Sequence, residues 1–482
     1  MIFFLFTDWS AIWYLLYIVF STSILIMERK RPEKTMIWIV IFIVFPLVGL
    51  TLYLLFGRNW KREKNRLNIQ TDDLTKELFN IYNTNLELDK YKPLTSLFSN
   101  NSYSPLYGKN EIKIYYKGKQ LFENILKDID KAKNHIHLEY YIFRDDVIGE
   151  KIINKLIEKS KQGIDVKIIA DKMGSVELKR KTIKKMRKNG IDFVFYSYVF
   201  APILRVINTM INYRNHRKII VIDGEIGYTG GFNIGDEYIE SKEFGEWQDT
   251  HLRITGDFVY GLQATFLDDF NRIKEIMKDK FFELQNLQRY FPEHLENLQD
   301  LKMQLIKSGP DSDNPAIMEG IMKMISIAKK NVYITTPYFI PTDQILSALK
   351  IAIFSGVDVS ILMPKKIDHK VVRWASMTYL EEIIDVGGKV YLYDENVFLH
   401  SKSITIDGEI CSVGSANMDV RSYLLNYELN AVIYDEKITQ NIENDFIKKV
   451  EKSEILTKYY FERRSLFTKY KESLARIFSN IM

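Results

Sequence analysis

The stretch NHRKIIVIDGEIGYTGGFN at residues 215–233 sets a histidine two residues before a lysine and seven before an aspartate. Further along, LHSKSITIDGEICSVGSAN at residues 399–417 repeats the arrangement. Counted from His216 and His400, 10 of 18 positions are identical. Each copy then runs through a Gly-Gly or Gly-Ser pair to an asparagine. With only seven histidines in 482 residues, two such placements with matching tails mark a duplicated functional unit. The duplication reaches outward. AKNHIHLEYYIF from Ala132 resembles AKKNVYITTPYF from Ala328, an amphipathic helix pattern follows each, and QGIDVKII and SGVDVSIL are matching helix-stop, strand-start signals. Strands alternating with helices predict an α/β fold, a mixed sheet flanked by helices in each half. The two motifs close corresponding positions of the two halves, so neither half holds the whole constellation and one active site is expected between them.

On a strand, residues i and i+2 share a face, so His216 with Lys218 and His400 with Lys402 each point into one space. Asp-Gly then turns the chain as it does in hairpins. The strand that follows reaches Gly231 and Asn233 in one copy, Ser415 and Asn417 in the other. Small residues there let an anionic group approach the backbone, and asparagine can donate to it. Together the halves offer two imidazoles, two ammonium groups and two amides, a set of donors suited to a phosphate. One neutral imidazole can attack phosphorus while the other, protonated, serves the leaving oxygen, because an imidazole pKa of about 6.5 permits either state near neutrality. The lysines and asparagines would stabilise the equatorial oxygens in place of a metal. A nucleophilic histidine also needs its second nitrogen held, and Asp249 and Glu428 sit at matching downstream places to do so. Asp223 and Asp407 complete the catalytic motifs at odd spacing from the histidines and read as mainly structural or charge-balancing members. A core histidine explains one such site but not a duplicated one with paired lysines. Lysines on the same face also oppose a bound cation, so neither a metal nor a cofactor is expected.

Composition adds bounds. The single cysteine, Cys411, excludes an internal disulfide or a cysteine-based zinc cluster and reads as a buried strand residue. A formal charge of +5 is compatible with anionic lipid or nucleic acid and demands neither. Residues 9–27 and 35–56 carry no charged side chain, and each run is near the roughly 20 residues that cross a bilayer core as a helix. Residues 1–57 therefore read as a transmembrane helical hairpin, with Pro46 and Gly49 permitting a kink in its second arm. The basic residues flanking it number four before the second run and five after it, nearly a tie. Pro46 and Gly49 also allow a re-entrant hairpin with both flanks on one face, and the expectation is a cytoplasmic catalytic region in a multi-pass cell-membrane protein. Residues 58–105 read as a linker, 106–285 as the first α/β domain and 286–482 as the second. Residues 193–213, apolar and aromatic, suit either a core strand or an acyl-chain groove. Residues 179–188 read as a solvated basic helix face that can also meet anionic headgroups, and His135 and His137 as core residues. In the tail, Leu466, Tyr470, Leu474, Ile477 and Ile481 recur at helical spacing beside Arg463, Arg464, Lys469 and Lys471. A helix packed on the core and a membrane-surface helix both fit that pattern.

The paired motifs resemble those of the phospholipase D superfamily. The stretches RNHRKIIVIDGEIGYTGGFNIGDEY, WQDTHLRITG, TPYFIP, FLHSKSITIDGEICSVGSANMDVRSYLLNYE and FPLVGLTLYLLFG are similar to bacterial cardiolipin synthases. The resemblance covers essentially the whole chain, and no motif position departs from the family pattern. It implies two phospholipase D-type domains and a two-step transfer through a phosphohistidine. One phosphatidylglycerol is then the donor and another the acceptor, with glycerol released. Against a phosphodiesterase acting on nucleic acid stands the hydrophobic hairpin, for which nucleic acid gives no reason. It further implies that His216 is the nucleophile and His400 the general acid. A hydrolase using water on the same intermediate, or a non-catalytic lipid-binding scaffold, are the rival readings. Intact histidine, lysine and asparagine in both halves oppose the scaffold.

Overall fold

Ile219–Ile222 after Lys218 are all branched aliphatics and Ser403–Ile406 after Lys402 alternate hydroxyl residues with isoleucine, and in the computed structural model both runs become fully buried central strands. The structure describes residues 8–27, 32–53, 73–82, 88–196, 213–241, 245–276, 289–293 and 298–479. It divides into a small unit, residues 1–69 with 197–213, and a large one, residues 70–196 with 214–482.

In the large unit the first half contributes β1 (Asn110–Lys117), β2 (His135–Tyr140), β3 (Asp165–Asp171), β4 (Asp192–Tyr196), β5 (Arg214–Asn215), β6 (Lys218–Ile222), β7 (Ile226–Gly230) and β8 (Gly245–Gly256). The second half contributes β9 (Lys302–Ser308), β10 (Asn331–Thr335), β11 (Asp358–Pro364), β12 (Lys389–Tyr393), β13 (Val397–Leu399), β14 (Ser403–Ile406), β15 (Ile410–Gly414), β16 (Asn426–Tyr434) and β17 (Glu454–Leu456). Strand order is β1-β8-β7-β6-β2-β3-β4 in one sheet and β9-β16-β15-β14-β10-β11-β12-β17 in the other, so the duplication read from sequence is a duplication of topology. Parallel pairing of β2, β3 and β4 and of β10, β11 and β12, against antiparallel neighbours, makes both sheets mixed. The two sheets share a core. Ile219, Val221, Leu252 and Ile254 of the first pack in one cluster with Cys411, Val413, Leu429 and Ala431 of the second. Burying each such aliphatic side chain contributes about 1.5–3 kcal/mol relative to exposure. The predicted Asp-Gly hairpins are present: Asp223 and Gly224 take φ of 57° and 70°, Asp407 and Gly408 55° and 73°. Positive φ at both central positions suits the twist of the flanking strands.

Two short strands cross between the halves. β5 of the first half pairs in parallel with β16 of the second, Asn215 opposite Tyr427, while β13 of the second pairs with β8 of the first, Leu399 opposite Gln248. Each leads directly into a motif histidine.

The small unit contains α1 (Asp8–Met27), α2 (Pro32–Val44) and α3 (Pro46–Leu52). Among the described residues no helix is long and apolar enough to cross a membrane. The second apolar run, expected as one kinked span, breaks at Phe45 (φ −133°, ψ 71°) because Pro46 pushes the preceding residue out of the helical region. Phe42 and Tyr53 bury their rings 5.4 Å apart, and the Tyr17 hydroxyl donates to the Pro46 carbonyl at 2.6 Å.

Two expectations need correcting. Within the expected linker, residues 58–72 and 83–87 lie outside the described residues, but the rest packs on the large unit. In α4 (Asp73–Tyr82) the Leu74 and Thr75 amides donate to Asp268 at 3.1 and 3.2 Å. α5 (Lys92–Ser102) buries Leu94 and Phe98 completely in the second half's core. Two apolar residues four apart in a polar stretch are too sparse a signal to read as core from sequence. The boundary at 286 also shifts: Tyr290 is fully buried, its ring 4.8 Å from that of His135 and 5.0 Å from that of His137, so residues 289–293 belong with the first half. Of the apolar stretch 193–213, residues 193–196 lie in β4 and residue 213 is described, while 197–212 lie outside the described residues.

Phe98 meets the backbone of Gly320 so closely that a Cβ there would lie 2.2 Å from its ring. Phe98→Ala should cost about 3–5 kcal/mol, read as a lowered midpoint of chemical denaturation in detergent. An unchanged midpoint would return residues 92–102 to the status of a linker.

Candidate active site

His216 follows β5, and its backbone N–H donates to the Tyr427 carbonyl at 2.9 Å. The imidazole is thus presented by the opposite sheet's edge. Its Nδ1 bonds Glu428 Oε2 at 2.9 Å. His400 mirrors this: its N–H donates to the Gln248 carbonyl at 2.7 Å, and its Nδ1 bonds Asp249 Oδ2 at 2.7 Å. The sequence offers Asp249 and Glu428 as orienting carboxylates, and the structure makes both contacts but crosses them. Each histidine is held by the carboxylate of the other half, leaving both Nε2 atoms for chemistry. Both carboxylates are fully buried.

The two halves brace their carboxylates differently. Glu428 accepts from the Ser415 hydroxyl at 2.5 Å and from Asn426 Nδ2 at 3.2 Å. Asp249 has no such hydroxyl, because the residue corresponding to Ser415 is Gly231. A Cβ on Gly231 would lie 1.9 Å from Asp249 Oδ1. Lys402 serves Asp249 instead, at 3.4 Å, and stands 2.6 Å from His400 Nδ1. Lys218 donates to the His216 carbonyl at 2.7 Å.

These contacts set the protonation states. Burial lowers His216 below the ordinary histidine value, with Glu428 opposing it. Burial and then the Lys402 ammonium bring His400 down to about 4. Burial, opposed by Glu428, brings Lys218 down to about 7, and it lowers Lys402 as well. Burial would raise both carboxylates, but Lys402 and His400 outweigh it at Asp249, and His216 and Lys218 outweigh it at Glu428, so both are held below their usual values. A pair of neutral imidazoles, each oriented by an anion, can act as nucleophile and as proton carrier.

The remaining motif residues are placed as follows. Asp223 accepts from the amides of Lys133, Asn134 and His135 at 2.7–2.9 Å, and Asp407 from those of Lys329, Lys330 and Asn331 at 2.7–3.0 Å. Both sit at the far ends of β6 and β14 from the histidines. Each caps the loop that launches the neighbouring strand. Asn233 accepts from the Ile142 amide at 3.2 Å and donates to the Tyr238 hydroxyl at 2.9 Å. The Asn417 side chain reaches Asp419. The Asn233 amide is bonded at both ends, while the Asn417 oxygen is buried without a partner among the described residues. Tyr141 stands edge-on to His216 with ring centres 4.9 Å apart, and Trp247 lies 5.0 Å from His400. Sequence reasoning misses these walls because aromatic residues in apolar strands read as core. His135 and His137 are core residues bridged by Gln263 at 2.9 and 2.8 Å. Among the described residues no group of three or more metal-ligating side chains is gathered to hold a metal ion.

Comparison with known proteins agrees with this architecture. Residues 125–244 and 321–450 match a family described as "Cardiolipin synthase, PLD-like domain", and residues 11–58 match one described as "Phospholipase_D-nuclease N-terminal". A cardiolipin synthase of Clostridium perfringens (strain SM101 / Type A) is 40% identical over 94% of this chain and 95% of its own length. One from Staphylococcus aureus (strain Mu50 / ATCC 700699) is 41% identical over 97% and 95%. The crystal structure of a phosphatidylserine synthase of Haemophilus influenzae Rd KW20 shares the fold, with a TM-score of 0.61 and 15% identity over 81% of this chain and 98% of that one.

Anion affinity should report the Lys218 ammonium. It is charged below its lowered value and neutral above, so binding strength is present at low pH and lost as the pH rises through 7. The inhibition constant of glycerophosphoglycerol, a soluble diester of constant charge, should weaken by up to about tenfold per pH unit there. A constant that stays flat from pH 6 to pH 9 would remove Lys218 from the anion site.

Proposed function

The chain belongs to the cardiolipin synthase family built on PLD-like domains, and from that premise we propose that it joins two phosphatidylglycerol molecules into cardiolipin and glycerol through a phosphohistidine. The observation that carries this reading is the crossed pair, His216 with Glu428 and His400 with Asp249, in one buried site.

His216 Nε2 attacks the phosphorus of the donor lipid, and the bond from phosphorus to the headgroup glycerol breaks. His400, protonated, gives its proton to the departing glycerol oxygen. The second phosphatidylglycerol then enters, His400 takes the proton from its glycerol hydroxyl, and that oxygen displaces His216 from phosphorus. Both histidines return to their starting states. The assignment of nucleophile is supported by the difference between the two environments. Both lysines bond the carbonyl of their own histidine, but only Lys402 also stands beside the imidazole Nδ1, which leaves His400 the more acidic of the two. Lys218 and Lys402 supply positive charge to the phosphoryl oxygens, and Asn233 and Asn417 hold the loops that border them. The family match over residues 11–58 and the exposed apolar face of α1, including Trp13, Leu16 and Phe20, support a membrane anchor.

His400→Ala should slow both steps, and turnover, by about 10²–10⁴-fold while still allowing slow formation of a phosphatidyl-enzyme, acid-labile and base-stable as a phosphoramidate is. His216→Ala should trap nothing. Labelling retained in His216→Ala and lost in His400→Ala reverses the two roles.

With phosphatidylglycerol vesicles, the full-length enzyme should yield cardiolipin and glycerol in about equal amounts and little phosphatidic acid, because water must be kept from the intermediate for a lipid hydroxyl to win. Headgroup analysis decides it. Mostly phosphatidic acid would make the enzyme a hydrolase.

A further inference from the structure

The last described helix, α12 (Leu466–Ile477), is packed the reverse way round from a helix in a water-soluble protein. At 100° per residue, Leu466, Phe467, Tyr470, Leu474, Ile477 and Phe478 fall within an arc of about 120°, and every one of them is exposed, Leu466 by 87% and Ile477 by 73%. The opposite face, Glu472, Ala475 and Ser479, is the buried one. Polar bonds fasten it there. Arg464 pairs with Glu472 and Glu381, Arg476 meets Glu382 at 2.5 Å, and Ser479 shares a hydrogen bond of 3.0 Å with the Tyr379 hydroxyl on α11 (Lys370–Asp385). The Ser465 hydroxyl caps the start, accepting from the Thr468 amide at 3.1 Å. Ile481 lies outside the described residues.

Lysines border the apolar arc on both sides, Lys469 on one edge and Lys471 on the other. The Lys471 ammonium lies 4.9 Å from the Phe467 ring centre and 5.1 Å from that of Trp374. Seven residues before Leu466, in the short helix Lys458–Glu462, Tyr459 is also exposed and carries the Arg463 guanidinium 4.9 Å from its ring. Exposed aliphatic and aromatic rings between lysines are the pattern of a helix lying in the headgroup–acyl boundary, where the rings enter and the ammonium groups reach anionic headgroups. A second copy of the chain fits less well, since docking two such faces would bring their lysine borders together.

We propose that α12 is a docking surface for an anionic bilayer. It gives the catalytic unit a lipid contact of its own, separate from residues 1–57. The choice of a bilayer as occupant rests on the lipid substrate proposed above.

The test uses the full chain with Cys411→Ser and Tyr470→Cys, or in a second protein Leu474→Cys, labelled with an environment-sensitive nitrobenzoxadiazole and reconstituted in vesicles of phosphatidylglycerol and phosphatidylcholine. Emission should shift to the blue and be quenched by phosphatidylcholine carrying a nitroxide high on its acyl chain. Lys469→Glu with Lys471→Glu should reduce that quenching several-fold. A label that iodide in the water quenches and the nitroxide lipid does not would overturn the proposal. Energy transfer between labelled copies that vanishes on dilution with unlabelled chain would overturn it in favour of a second copy. Cardiolipin formed in the same vesicles separates the two readings. Product without lipid quenching sinks the docking surface alone, and lipid quenching with phosphatidic acid as product sinks the transferase alone.

Discussion

Two imidazole–carboxylate bonds that cross between the halves constrain everything around them. His216 depends on Glu428 and His400 on Asp249, so neither half can orient its own histidine. The carboxylates are fully buried, and a buried carboxylate deprived of its partner costs about 3–5 kcal/mol. Separating the halves would strand both at once. The short strands β5 and β13 make the crossing possible by joining each histidine to the opposite sheet, and the shared core of Ile219, Val221, Val413 and Leu429 holds the sheets in the register those bonds need. Catalytic geometry and the cohesion of the large unit are one constraint.

Duplication has not made the halves equivalent. Aspartate is one methylene shorter than glutamate, and Asp249 sits where any side chain at residue 231 would collide with it. The longer Glu428 leaves room for Ser415, whose hydroxyl holds it. Asp249 turns to Lys402 for the same service, and that lysine then lies against His400. A one-carbon difference in a carboxylate thereby sets the relative acidity of two imidazoles that occupy matching positions in sequence.

Much of this was legible in the chain. Asp-Gly placed the hairpins, matched positions in the repeat picked out Asp249 and Glu428, and period-two alternation found the strands within the motifs, although His216 and His400 themselves stand in the short links just before them. The crossing was not legible, because spacing says which residues share a strand and nothing about which sheet a two-residue strand joins. The motif aspartates kept company with the histidines in sequence, yet seven extended residues carry them roughly 20 Å along the strand, where they cap Lys133–His135 and Lys329–Asn331 amides instead. Asn233 has the right chemistry for a phosphate and is already committed to Tyr238. The inverted tail helix shows the same limit: its period was readable, but only the partners of Glu472 and Ser479 say which face turns inward.

Charge balance connects the resting site to the reaction. Asp249 and Glu428 are held ionised, and Lys218 and Lys402, when protonated, offset them, so with both imidazoles neutral the formal charges cancel. A phosphodiester brings one negative charge to a buried site, where an uncompensated charge is expensive. The least costly response is to bring a proton in with it. Lys218, lowered to about 7, and His400, lowered to about 4, are the groups whose basicity an adjacent anion raises most directly. The general acid need not be present in the empty enzyme, since binding of the substrate anion generates it. His216, already paired with Glu428 and without an ammonium at its Nδ1, stays the neutral base that attacks.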